Sequence, residues 1–281
     1  MIEEIGLDLQ AFVKRVYDDV LYQSTFYNFL NPAYIGALRQ TGAPVIEVAK
    51  TDVLSVNVRE TKEIATALDP ALVTYGHTMV DLTELPMDYS IRVPVTVTGS
   101  DIANAIQSAV DLEDSAIAQA IDTYGYAKLA SASMDEAEWD PSTKEDYIST
   151  LNGLRAKLFN KKITGDYRLG LGATEYANLV SALTSVLKFE TLAGREGVDM
   201  GEIARVYGIS IFEINDNVLG DEKGYFFNPI AVVGDTFFSA FVQTASDIRY
   251  PGYYCISGNQ MFGAEVVRPE AIIRLVEEVS A

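Results

Sequence analysis

The sequence predicts an α+β fold. Helical and strand patterns interleave along the chain without the regular alternation that a βαβ repeat would impose. One helical stretch, from Asp101 to near Ala130, far exceeds the roughly three turns of an ordinary globular helix. The 281 residues are also 48% hydrophobic, enough for a sizeable core, which sets the chain apart from disordered sequences.

In the first half, Leu9, Phe12, Val13, Val16, Tyr17, Val20 and Leu21 recur at helical spacing and predict an amphipathic arm helix, which gives way in "NFLNPAYIGAL". In "TGAPVIEVAKTDVLSVNVRE", Leu54, Val56 and Val58 alternate with Ser55, Asn57 and Arg59. Pro44–Arg59 therefore reads as two strands of a hairpin-like excursion. The weakly periodic "TKEIATALDPALVTYGHTMVDLTELP" holds its return. In "MDYSIRVPVTV", Tyr89, Ile91, Val93, Val95 and Val97 share one strand face, and Pro94, which has no N–H to give, marks an edge or a bulge. "GSDIANAIQSAVDLEDSAIAQAIDTYGYAKLA" opens on two N-cap candidates, Ser100 and Asp101. Its apolar stripe is Ile102, Ile106, Ala109, Val110, Ile117, Ala120, Ile121 and Tyr124. At about 1.5 Å per residue this helix runs on the order of 45 Å, the length of a strut.

The acidic, Pro-containing "SMDEAEWDPSTKED" is the best domain boundary in the chain. Beyond it, "STLNGLRAKLF" predicts a short amphipathic helix and "DYRLGLG" a strand with Tyr167, Leu169 and Leu171 alternating. "ATEYANLVSALTSVLKF" predicts a helix with Tyr176, Leu179, Val180, Leu183, Val186 and Leu187 inward. "GREGVDMGE" is a loop, "YGISIFEI" and "KGYFFNPIAVVGD" are apolar strands, and "DTFFSAFVQTASDIRY" fits either strand or helix. The closing stretch Tyr253–Leu275 reads as strand, tight turn and strand, followed by a Pro-started apolar run. Gly258, with Asn259, would supply the positive φ of that turn.

Chemistry is sparse. The formal charge of −19 argues against a nucleic-acid binder, because phosphate contacts need Lys and Arg. It suits a very soluble protein, or one that lies beside nucleic acid without adhering to it. No window approaches the roughly 18 consecutive apolar residues of a membrane span. The start, "MIEEIGLDLQ", is acidic where a secretory signal is basic, so no secretion is expected. The single cysteine, Cys255, cannot form an internal disulfide and reads as a small buried hydrophobe. His77, the one histidine, sits in "VTYGHTMV" with no nucleophile elbow nearby, and one Cys with one His leaves almost no room for a zinc site. "RLGLGATE" places Gly170 and Gly172 between a strand and a helix in the manner of a dinucleotide turn. Glu175 then puts a negative charge where a pyrophosphate would lie, so a structural turn is expected. Asp135, Glu136, Glu138 and Asp140 lack the EF-hand spacing and its glycine, and a solvated acidic turn is expected. No catalytic, cofactor-binding or metal-binding residue is assigned, and the chain is not expected to be an enzyme.

The order of parts resembles the major capsid proteins of tailed bacteriophages, the Hong-Kong-97-like fold. The likeness runs over essentially the whole chain. It rests on the excursion, on the strand and long helix "MDYSIRVPVTVTGSDIANAIQSAVDLEDSAIAQAIDTYGYA", on "LGLGATEYANLVSAL", "GEIARVYGISIFEINDNV" and "GYFFNPIAVVGD", and on the terminal "QMFGAEVVRPEAI". The resemblance implies an N-terminal arm over residues 1–43, an extended β loop (E-loop) over 44–80, and a P-domain strand and spine helix over 81–149. An A-domain would follow over 150–245, with a return to the P-domain over 246–281. It implies a virion protein that assembles in the host bacterial cytoplasm into hexamers and pentamers of an icosahedral shell. That shell would enclose packaged DNA without specific recognition, with no membrane and no cofactor. Separate scaffolding, portal and decoration proteins are expected partners. No long charged helical extension precedes the arm, so the expectation is a mature form or one that relies on a separate scaffold. Some relatives crosslink a loop Lys to a neighbour's Asn; Lys50, Lys62 and Asn259 occupy corresponding regions, but nothing in their spacing supports that chemistry here.

In a shell, A-domain loops such as Ala193–Met200 and Asp216–Gly224 would meet at ring centres, and the excursion would lie over a neighbour. Subunits of like charge repel over about 10 Å at ~0.1 M salt, so salt or divalent cations should favour assembly. The acidity would also suit an inner wall along which DNA slides. Two alternatives stay open: an encapsulin-like compartment shell protein, which shares the fold, and an acidic α+β enzyme using carboxylates.

Overall fold

The computed structural model describes residues 24–35, 44–51, 75–94, 100–183, 202–206, 208–238, 243–246 and 253–277. The expected arm helix at Leu9–Leu21, the alternation at Leu54–Val58 and the loop Ala193–Met200 lie outside these residues.

The chain enters through a 3-10 turn, Thr25–Phe29, whose Phe26 and Phe29 are fully buried. Strands β1 (Val45–Thr51) and β2 (Tyr75–Asp81) pair antiparallel, from Val45 opposite Asp81 to Thr51 opposite Tyr75. Among the described residues the partner of the first strand is not in Pro44–Arg59 but in the segment expected to hold the return of the excursion. It is the far end of the weakly periodic segment, so the excursion leaves and rejoins the body through a two-stranded ribbon. Strand β3 (Leu85–Pro94) follows at once and ends on Pro94, at the edge of its sheet. That placement suits a residue with no N–H to offer a ladder.

Helix α1 spans Ser100–Ser131 without interruption, 32 residues or about 48 Å. Ser100 and Asp101, the expected caps, are its first two residues. Among the described side chains its buried stripe is Ile117, Ala118, Ile121, Tyr126 and Leu129, with Tyr124 half-buried.

The acidic break after the helix is not only a turn. Asp135–Glu138 forms strand β4, an edge strand parallel to the chain's last strand, with Ile273 opposite Asp135. Helix α2 (Lys144–Asn160) begins on a capping box: the Thr143 hydroxyl accepts the Asp146 N–H at 3.3 Å, and the Asp146 carboxylate accepts the Thr143 N–H at 3.0 Å. Its Tyr147, Leu151, Leu154 and Leu158 are buried. Strand β5 (Tyr167–Gly172), helix α3 (Ala173–Leu183), β6 (Glu202–Val206) and β7 (Ile209–Ile214) follow. A helical turn, Asp216–Leu219, leads to β8 (Gly224–Phe227).

"GYFFNPIAVVGD" is two strands, not one. Asn228 caps a 3-10 turn at Pro229–Ala231 by accepting the Ile230 N–H, and β9 (Val232–Phe238) then runs in a different sheet. Pro229 has no N–H for a ladder, so an apolar run that looks continuous has to break there. The ambiguous segment after it yields β10 (Gln243–Ser246).

The closing hairpin is also corrected. Tyr253–Val266 is one 14-residue strand, β11, and the final strand β12 is Ile272–Val276. Gly258 lies opposite Tyr89 and Asn259 opposite Asp88, in the middle of a ladder. The strand is held on one side by β3 and on the other by β10 and then β9, so a turn at Gly258 would break two ladders at once. The glycine that matters is Gly263: a Cβ there would strike the Asp81 carbonyl and Leu82, so its absence lets the β2–β3 turn pass against the strand.

The six-stranded sheet has the order β4-β12-β8-β5-β7-β6, and the second sheet the order β10-β11-β3 with β9 on β11. The first thus joins strands from both sides of the sequence divisions at 149/150 and 245/246. On one face Phe226 stacks on Tyr167, near α2 and α3. On the other, Tyr225, Phe227 and Phe212 meet Phe29 and Tyr126. The larger of two core clusters among the described residues is aromatic-rich and ties the 3-10 turn, α1 and the six-stranded sheet together; the smaller lies under the ribbon.

Candidate functional site

No catalytic constellation assembles among the described residues. His77 lies in β2 of the ribbon, paired opposite Ala49. A cleft of about 640 Å³ sits at the C-terminal end of β5 and is lined chiefly by charged residues, among them Glu175, Asp216, Asp221 and Glu277 with Lys223. Ligand pockets are mostly apolar with a few convergent polar groups, whereas most residues lining this cleft are charged. The glycine turn cradles nothing. A Cβ on Gly170 would sit 2.6 Å from Ile214 Cδ1, and one on Gly172 would strike the Asp216 carboxylate, so side chains already fill the space. Glu175 lies 3.5 Å from Lys223. Of the acidic residues weighed as calcium ligands, Asp135 lies 2.6 Å from Lys161 and Glu136 lies 3.5 Å from Arg274. The described residues contain no group of three or more His, Cys, Asp or Glu side chains placed to hold a metal ion.

The chemistry that does converge is mechanical and lies along the last third of α1, which is held at three points. The first is Asp122. Its carboxylate accepts four donors from the entering chain: Ser24 Oγ at 2.5 Å, the Phe26 N–H at 2.9 Å, Thr25 Oγ1 at 2.9 Å and the Thr25 N–H at 3.3 Å. Beside it Gly125 offers bare backbone, and the Phe26 ring occupies the space a Cβ would need. The Thr25 hydroxyl also meets Tyr126 Oη at 3.0 Å, and burial pushes that phenol well above its ordinary range.

The second point is Lys128. Its ammonium lies 2.7 Å from Glu84, in the turn between β2 and β3, and 3.4 Å from Glu265 on β11. The bond to Glu84 raises the lysine, and the same bond lowers the carboxyl. Tyr124 donates to Glu84 as well, and its own phenol is pushed up to about 12, first by burial and then by that hydrogen bond.

The third is Arg274 of β12, whose Nη2 donates to the carbonyls of Ala130 at 2.7 Å and of Leu129 and Ala132 at 3.3 Å. A guanidinium on the last carbonyls of a helix satisfies orphan acceptors and complements the dipole. Arg274 Nε also stands 3.0 Å from Glu222 Oε1, an ionic contact without the alignment of a hydrogen bond. Burial raises Glu222, against the opposing pull of the Tyr225 hydroxyl and Arg274.

The long helix is thus clamped to the entering turn, to the base of the ribbon and to both sheets. The fold is the Hong-Kong-97-like fold of tailed-phage major capsid proteins. Among solved structures, that of Mycobacterium phage Che8 aligns with a TM-score of 0.59 at 17% identity, covering 91% of this chain and 92% of that one. The capsid structure of the cyanophage P-SCSP1u aligns at 0.59 and 15% identity over 85% and 84%. The capsid of Ralstonia phage GP4 aligns at 0.54 and 9% identity over 85% of each. No protein-family model matches the sequence, and no curated protein matches it.

The strut from Asp101 to near Ala130 was legible in the sequence. Asp122, Gly125, Lys128 and Arg274 were not singled out. An aspartate among 40 acidic residues carries no signal, and its partners lie 96 to 98 positions away. A glycine in the helix interior, costly by roughly 1 kcal/mol against alanine, was the one available clue to a close contact at that turn.

Proposed function

We propose that this chain is the major capsid protein of a tailed bacteriophage and assembles with copies of itself into hexamers and pentamers of an icosahedral shell around the DNA genome. The observation that carries this is the uninterrupted helix Ser100–Ser131, clamped along its last third, in a fold shared with phage capsids over about nine tenths of the chain. Residues 1–43 then serve as the N-terminal arm, 44–80 as the E-loop, 81–149 with 246–281 as the P-domain and 150–245 as the A-domain. Strand β12 belongs by sequence to the P-domain return but pairs with β8 of the A-domain, so it couples the two bodies while its Arg274 holds the end of the spine helix. The work is positional, with no catalysis. Its setting is the virion, built in the bacterial cytoplasm with separate scaffolding and portal proteins.

Negative-stain microscopy of the purified full chain tests the proposal. Hollow shells, or rings of five or six, are expected, with yield rising from low to moderate salt as repulsion between subunits of formal charge −19 is screened. A monodisperse monomer at every salt and concentration would defeat it.

A further inference from the structure

The six-stranded sheet has chemically opposite ends. From Tyr147 to Gly165 the sequence holds no acidic residue, while Arg155, Lys157, Lys161 and Lys162 fall within one short run in a chain of formal charge −19. Lys161 is used internally, against Asp135. Arg155 and Lys162 have no carboxylate partner among the described residues; Arg155 lies over the Tyr167 ring at 5.9 Å. One turn beyond Arg155 on the same helix face, Phe159 is 62% exposed, the one aromatic ring standing out among the described side chains. A single exposed phenylalanine is ordinary by itself; here it stands beside two cations without a carboxylate partner among the described residues, so ring and charge form one exposed patch.

Strand β5 begins five residues after Lys162 and runs away from this corner for about 20 Å, ending at the acidic cleft. There the carboxylates of Glu175, Asp216, Asp221, Glu222 and Glu277 line the cleft with one ammonium, Lys223, and Glu222 is already met by Arg274 at 3.0 Å. Lys223 is shared between Glu175 and Glu277, at 3.5 and 3.6 Å, and Asp221 has no cation among the described residues. A cationic, aromatic corner and an acidic cleft at opposite ends of one buried sheet cannot meet within a molecule. They can meet between molecules placed head to tail, and such contacts close into rings when the rotation permits.

We propose that Arg155, Phe159 and Lys162 of one copy dock against the acidic cleft of the next copy around a ring. This rests on the shell-protein reading above. Opposite charge at this contact, set against the net repulsion of the whole chains, would fix the register and reject others, with Phe159 as the desolvated anchor.

The test uses the full chain and sedimentation with negative-stain microscopy. Arg155→Glu with Lys162→Glu should cut rings and shells by about tenfold or more, as like charges are brought together, with the circular dichroism and melting of the subunit unchanged. Adding Asp221→Arg and Glu277→Arg to that variant restores the opposite pairing in reverse and should recover assembly. Phe159→Ser, at an exposed position, should lower assembly without altering subunit melting, and it decides the matter alone if the charge variants fold poorly. Assembly of the Glu variant at the wild-type level would overturn the proposal, and so would failure of the reversed pair to recover it. Normal shells that retain less double-stranded DNA would also overturn it, assigning the corner to nucleic acid instead. A wild-type chain that forms neither rings nor shells is a different result, and counts against the capsid reading itself.

Discussion

The six-stranded sheet and the β1–β2 ribbon use similar residues to opposite ends. In β5 every residue but Arg168 is buried, and in β7 every residue but Glu213. Helices α2 and α3 cover one face, and α1 with the Thr25–Phe29 turn covers the other. The ribbon has one dry face: Ile46, Val48, Val80 and Leu82 pack on Val233 and Val267. Its other face presents Val45, Glu47 and Met79, and Met79 is 63% exposed. A two-stranded ribbon is marginal alone, whereas a sheet covered on both faces is complete. Among the described residues the sheet is therefore covered on both faces within the chain, and the ribbon on one face only.

Four experiments would break or sharpen that contrast. The largest effect is expected at Phe29, whose ring stacks on Phe227 at 3.9 Å and meets Tyr126, Phe212 and Tyr225 edge-on. Phe29→Ala should cost about 3–5 kcal/mol in denaturant unfolding of the unassembled subunit, and a cost near zero would show that the sheet does not need its spine-side cover. Asp122→Ala leaves four donors unmet, and a loss of about 2 kcal/mol is expected, with faster hydrogen exchange at Thr25 and Phe26. Val48→Ala removes two methyls from the ribbon's single dry face. About 1 kcal/mol is expected, read as local exchange in β1 and β2 while the global transition holds; an equal loss in the global transition would erase the distinction between the two regions.

The smallest effect concerns the ion pair at the ribbon's base. Glu84 is lowered by its bond to Lys128, so its share of stability is present above the ordinary glutamate value and is lost as pH falls through the folded value. Lys128 is raised, so its share is present below the ordinary lysine value and is lost as pH rises through the folded one. The pair should thus contribute between roughly pH 4.5 and 10.5, at a level held small by its exposure. Glu84→Gln should flatten the acid side of a melting-temperature profile without moving its neutral plateau by more than about 1 °C.

Periodicity made the local elements readable. The stripe through Ile117 and Ile121 marked α1, the alternation of Tyr167, Leu169 and Leu171 marked β5, and the run at "YGISIFEI" marked β7. Pairing was not readable in the same way. Nothing in "YYCISGNQMFGAEVV" distinguishes a hairpin at Gly258 from a straight strand, because the two differ only in which distant strands lie alongside. Similarly, "GYFFNPIAVVGD" reads as one strand until Phe227 is seen to lie opposite Ile272 and Val232 opposite Val266. The run from Arg155 to Lys162 could be seen in the sequence as basic, but Phe159 could not be seen as bare, since exposure depends on what fails to cover it.

The sequence by itself determined the length of the strut, the identity of most helices and strands, the strong acidity, and the scarcity of catalytic residue types, because each is a property of neighbouring residues or of composition. Only the tertiary structure decided the partner of the ribbon's first strand, the continuity of β11, the clamps at Asp122, Lys128 and Arg274, and the opposition of a cationic corner to an acidic cleft. Those depend on contacts between residues tens to more than a hundred positions apart, whose free energy appears only once the chain has brought them together.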